Sequence, residues 1–196
     1  MTFFDCVRST GKPCALPSKA ADSVWHVWQD IDQIGLDRFC RRHFGQVIPH
    51  VAAHEIDGSM DAALANTLVA ARKLARMPEA GPRVPKLFLL DRSLKMPGGY
   101  GYKAEGGEVG YQNLDHAGQP VAPLFFPNGL AVVQMLAVGL ITEEMYSSYM
   151  ARAKDGGGSS CGSSCGSSCS SDSSSDSGSS SDGGSSCGSS CGGGGN

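Results

Sequence analysis

Apolar residues recur at three- and four-residue steps over several stretches of the chain, and that period predicts a mainly α fold. In the first, Lys19 to Ile34, the residues Val24, Trp28, Ile31 and Ile34 fall on one stripe with Trp25 on its shoulder. Gly35 interrupts the pattern, Leu36 to Phe44 carries Leu36, Phe39, Cys40 and Phe44 on one face, and Gly45 supplies a stop. So short a connection predicts a helical hairpin. A third helix is expected over Ser59 to Met77, with Ser59 as N-cap, basic residues in its last turns and Pro78 and Gly81 beyond it. "PKLFLLDRSLK" fits a short helix or a strand, with helix favoured, bounded by Pro85 and by Pro97–Gly98–Gly99.

Elsewhere the pattern fades. Residues 1–18, with Gly11, Pro13 and Pro17, read as an irregular arm, and Tyr100 to Pro127 reads as loops with one small hairpin around Val109 to Tyr111. "PNGLAVVQMLAVGLI" and "TEEMYSSYMARAK" predict two short helices, capped by Asn128 and Thr142. From Gly156 onward every residue is Gly, Ser, Cys, Asp or Asn. Nothing there can be buried to offset the roughly 1–2 kcal/mol per residue that ordering a backbone costs, so a disordered tail is expected. The resulting division is an arm (1–18), a small helical domain (19–104), a linker (105–127), a short helical hairpin (128–155) and the tail (156–196).

Charge changes the picture at the same boundary. All Lys and Arg precede Gly156, and the net charge of −3 comes from the tail's Asp172, Asp176 and Asp182. A formally neutral body offers no footprint for nucleic acid, and Arg38, Arg41 and Arg42 read as the solvated side of a helix. The most apolar run, "GLAVVQMLAVGLI", is shorter than the roughly 20 residues of a membrane span. "MTFFDCVRST" lacks the apolar core of a secretory signal, which predicts a cytoplasmic protein with reduced thiols.

The concentration of possible ligands is the chemical feature of the body. His26, His43, His50 and His54 cluster in sequence around Cys40, and zinc takes mixed imidazole and thiolate sets. His26, Cys40, His50 and His54 are the candidate ligands, with His50 and His54 one turn apart if Pro49 opens a helix. Val51 stands where the metalloprotease pattern needs a glutamate, so no hydrolase is assigned. In the tail, Cys161, Cys165, Cys169, Cys187 and Cys191 repeat a Cys-Gly-Ser-Ser unit whose thiolates can share a soft metal ion.

Asp22, Trp25, His26, Phe39, Cys40, Gly45 and His50 together resemble a segment of the glycine-rich domain-containing proteins of plants and bacteria. A second block, Leu87, Phe88, Asp91, Leu94, Pro97, Gly98, Gly99 and Tyr102, is similar to one that comes after it in the bacterial members. The resemblance implies a shared architecture over about residues 20–104 and brings no activity with it. Gly139 to Tyr146 is similar to the short helical-hairpin module called SHOCT, which implies oligomerisation. The tail is similar to the repetitive core of thiazole/oxazole-modified microcins, which implies a precursor modified at Cys and Ser. The sequence therefore reads as a non-enzymatic binding or scaffold protein with an unidentified protein partner. The alternatives are a metalloprotein or enzyme with a zinc site at His26, Cys40 and His50, or a modified precursor.

Overall fold

In a computed structural model of the chain, residues 2–50, 59–121 and 123–156 are described. The described part is mainly α, as the periodicity predicts. Helix α1 (Thr2–Thr10) occupies half of the segment expected to be an irregular arm. Its Phe3 and Cys6–Val7 already have helical spacing, and the glycine and proline that argued against a helix act only afterwards: Gly11 takes a left-handed conformation (φ 60°) and ends it. The extended residues behind Gly11 lie along helix α3 (Met60–Leu74). There the Ala15 N–H donates to the Ala63 carbonyl (3.1 Å), and Thr67 Oγ1 donates to the Ala15 carbonyl (2.8 Å).

Helix α2 (Lys19–Phe44) holds the expected hairpin, turned at Asp32 (φ −153°, ψ 70°) and not at Gly35. Trp28 and Phe39 prove the reversal. A straight helix would separate them by about 16 Å, yet their ring centroids are 5.1 Å apart. Asp32 caps the second limb through its carboxylate, which accepts the Gly35 N–H at 2.8 Å, and a Cβ on Gly35 would stand 1.9 Å from Asp32 Oδ2. Glycine is thus needed for room at the cap. The buried face of the hairpin is also not the stripe expected. Trp25, Leu36, Cys40 and Phe44 pack with Ile48 and with Phe3, Phe4 and Val7, whereas Val24, Ile31 and Ile34 are exposed. Trp25 is chosen over them because α1 supplies its aromatic partners, at 5.7 Å (Phe3) and 4.9 Å (Phe4).

Helix α3 begins at the expected cap, with Ser59 accepting the Ala62 N–H, and ends three residues before Met77. Buried Arg72 closes the loop after it by donating to the carbonyls of Arg83 (3.0 Å), Glu79 (2.8 Å) and Gly81. A 3₁₀ turn (Lys86–Leu89) leads into α4 (Leu90–Leu94), the helical choice for "PKLFLLDRSLK". Strands β1 (Tyr100–Glu105) and β2 (Glu108–Asn113) then pair antiparallel, Tyr102 opposite Tyr111, through Gly106–Gly107 with positive φ at both positions. This hairpin is longer than the one expected and crosses the proposed boundary at 104/105, so residues 105–113 are no linker. A 3₁₀ turn at Asn128–Leu130, α5 (Val132–Ala137) and α6 (Glu143–Gly156) complete the described chain. Thr142 caps α6 through the Met145 N–H, while Asn128 makes no cap because Pro127 precedes the turn. Leu130, Met135 and Ile141 share one core with Cys6, Leu68, Phe88, Tyr102 and Val109, so the expected separate hairpin at 128–155 packs into the same core as the helices before it.

The two motifs of the sequence meet at the start of α2. Asp91, 1 % exposed, accepts from Ser18 Oγ (2.6 Å), the Lys19 N–H (3.0 Å), the Ala20 N–H (3.0 Å) and the Tyr100 N–H (2.9 Å). A buried carboxylate is tolerable there because it meets the amides that a helix start leaves unpaired and the positive end of the helix dipole. Gly99 lets β1 approach so closely: a Cβ on it would stand 2.8 Å from Asp91 Cβ.

Candidate metal centre

One turn past that cap, Asp22 and His26 share a face of α2 at i and i+4. The Asp22 N–H donates to the Ser18 carbonyl (3.0 Å), so its position is fixed by the same cap that Asp91 holds. His50 arrives from the other direction. Gly45 stops α2 in a left-handed conformation (φ 78°), buried Ile48 pins the following segment to the aromatic cluster, and His50 comes to lie over the first limb. His50 Nε2 is 2.8 Å from Asp22 Oδ1, and His26 Nε2 is 3.5 Å from Asp22 Oδ2. One ligand atom from each of the three lies within 4.8 Å of the other two.

The imidazoles are held unequally. The His50 ring stands edge-on to buried Trp25 at 4.6 Å and 4.3 Å from the His26 ring, and its side chain is 17 % exposed against 55 % for His26. The site thus has an ordered inner wall and an open outer side. Trp25 Nε1, at that wall, is a buried nitrogen with no hydrogen-bond partner among the described residues. The strongest shifts in proton affinity lie elsewhere. Burial pushes the Cys6 thiol up to about 12 and the Tyr102 phenol above its ordinary range, and burial lowers Arg72 to about 10.

Of the sequence candidates, the structure joins His26 and His50 and leaves Cys40 out. Cys40 is fully buried with Leu36 and Phe44, one turn before and after it on the second limb, and it does not belong to the cluster of ligand atoms. The third residue of the cluster is Asp22. The sequence held a signal for it, the four-residue step from Asp22 to His26, which a search for His and Cys alone passes over. Pro49 and His50 are not helical, and His54 and the tail cysteines Cys161, Cys165, Cys169, Cys187 and Cys191 lie outside the described residues.

A family model described as UCP032817-like matches residues 2–119, more than half of the chain. The chain belongs to the UCP032817-like family. The match runs from α1 through β2 and includes Asp22, His26, His50 and Asp91, so the site and the cap beneath it fall within the family's extent. The UCP032817-like family is uncharacterised, and membership assigns no reaction to these residues. No curated protein and no solved structure matches the chain. Among the described residues no helix is long and apolar enough to cross a membrane.

Proposed function

We propose that the chain is a metal-binding protein that takes a divalent ion of the zinc class through Asp22, His26 and His50. The observation that carries the reading is the convergence of two imidazole nitrogens and one carboxylate oxygen, from separate segments, within 4.8 Å. Bonds of about 2.0–2.1 Å in a tetrahedral site place ligand atoms about 3.3 Å apart, so the 2.8 and 3.5 Å separations need only small side-chain rotations to admit an ion. Two imidazoles and a carboxylate suit zinc and its neighbours better than calcium or magnesium, which prefer all-oxygen sets. Three protein ligands leave a coordination position on the exposed side of His26. Asp22, His26 and His50 all lie within the residues that the family model matches. No catalytic group is assigned, and the reading proposed is the sequence's alternative, a zinc site, with Asp22 in place of Cys40.

The test is calorimetric titration of zinc into the full chain under reducing conditions, with Cys161, Cys165, Cys169, Cys187 and Cys191 replaced by serine to remove competing thiolates. One equivalent is expected to bind. H26A and H50A should each weaken binding by more than the roughly 10–100-fold that accompanies loss of an outer-shell partner, with unchanged far-UV circular dichroism. Equal affinity in all three chains would overturn the assignment.

A further inference from the structure

A half-open cavity of about 640 Å³ lies between the loop that follows α3, the Gly106–Gly107 turn and α6, and none of Asp22, His26 and His50 lines it. Small-molecule sites are ordinarily about 300–1,000 Å³. The three walls are fastened in the chain itself. Buried Arg72 spends its guanidinium on the carbonyls of Glu79, Gly81 and Arg83, which fixes the loop wall. The Tyr149 hydroxyl donates to the Gly107 carbonyl at 3.0 Å and ties α6 to the turn, where a Cβ on Gly107 would collide with that hydroxyl. A site built in advance loses little to ordering when a ligand enters.

The lining states the chemistry of the occupant. Pro78, Ala80, Pro82, Tyr149 and Ala153 make it mainly apolar, and Arg83 and Arg152 are its charged groups. Arg152 Nε donates to the Ser148 carbonyl (3.0 Å), which leaves the rest of that guanidinium unengaged, and the Arg83 side chain has no partner among the described residues. No carboxylate neutralises them: Glu105 and Glu108 flank the turn but do not line the cavity, and Glu105 is held by Lys103 at 2.6 Å. Two unpaired guanidiniums beside an apolar surface complement a ligand that is apolar at one end and anionic at the other. We propose that the cavity binds a small aromatic carboxylic acid, with its ring against the prolines and Tyr149 and its carboxylate on Arg83 and Arg152. The planar guanidinium fork matches a carboxylate with paired hydrogen bonds, and the prolines and the tyrosine offer flat faces to a ring.

Amide NMR of the full chain under reducing conditions, titrated with 1-naphthoate, tests this. No metal is added, so the outcome is independent of the reading of Asp22, His26 and His50. Saturable shifts are expected at the amides of Gly81, Gly106, Gly107 and Tyr149, with a dissociation constant below about 1 mM. Neutral 1-naphthamide should bind at least about tenfold more weakly, and R83Q/R152Q should weaken naphthoate by a similar factor. R41Q/R42Q, which removes two exposed arginines of α2, should bind naphthoate as wild type does. All four arginines are exposed, so both variants should keep the wild-type urea midpoint. No saturable shift at these amides up to about 10 mM naphthoate would overturn the proposal. So would equal affinity for the amide, an unchanged R83Q/R152Q, or equal weakening in R41Q/R42Q.

Discussion

Replacing Asp91 with alanine should unfold the chain from the point where its two sequence motifs meet. The carboxylate is fully buried and receives four donors at 2.6 to 3.0 Å, three of them backbone amides. A hydrogen bond to a charged acceptor contributes about 1.5–3 kcal/mol, but the Lys19 amide is partly exposed and can find water, so the four do not add. D91A leaves the buried Ser18 hydroxyl and Ala20 amide without their acceptor, at about 1–3 kcal/mol each, and weakens the part-buried Lys19 and Tyr100 amides less, so a loss of about 3–5 kcal/mol is expected. Measured as urea unfolding by far-UV circular dichroism, it amounts to a midpoint about 2 M lower for a typical denaturant slope. D91N separates the charge from the volume. Its amide would meet two of the donors head-on whichever way it turns, while its oxygen keeps the other two, so a loss of roughly half that of D91A is expected. A D91A midpoint within about 0.5 kcal/mol of wild type, the range of ordinary surface changes, would refute the view that Asp91 organises the start of α2.

Two further changes have signs that the structure fixes. Gly-to-Ala substitutions at compatible positions often stabilise by about 0.4–1 kcal/mol, but G35A should destabilise by about 1 kcal/mol in thermal melts, because its Cβ drives Asp32 off the cap at the turn of α2. Alkaline conditions should act through Cys6, whose thiol is pushed from 9.0 to about 12 by burial and by Cys14 and Asp5 nearby. A raised folded-state value means that its stabilisation is complete below pH 9.0 and is lost as pH rises toward about 12. Arg72, lowered by burial from 12.5 to about 10, has the opposite sign and acts only above its folded-state value. Between pH 9.0 and about 10 the urea stability of wild type should therefore fall, by at most about 1.4 kcal/mol per pH unit, and C6A should flatten that slope. A slope unchanged by C6A would contradict it.

Local rules reached the elements whose ends carry punctuation. Ser59, Thr142 and Gly45 work as caps because their roles depend on the few residues beside them, and the hairpin of α2 was legible in a break in period. What failed was tertiary. Without α1, nothing indicated that Trp25 would be buried in preference to Val24 and Ile31, and the glycine and prolines behind Thr10 hid α1 itself. The β-hairpin was undercounted because its strands are rich in glycine and tyrosine, where Gly101 and Gly110 make room for Leu114 and for the 124–126 segment. The cluster of Asp22, His26 and His50 was legible only in its histidines. His26 and His50 stood out by residue type, but choosing Asp22 over Cys40 required knowing which face of each limb the aromatic cluster claims.

The most direct measurement is the visible and near-ultraviolet spectrum of cobalt(II) added to the reduced full chain with its five tail cysteines replaced by serine. The account predicts one equivalent of bound cobalt with ligand-field bands of a nitrogen and oxygen site, no thiolate charge-transfer absorption, and loss of those bands in D22A and in H50A. Thiolate absorption that disappears in C40S would restore Cys40 as a ligand, and a spectrum identical to aqueous cobalt would contradict a metal centre at Asp22, His26 and His50.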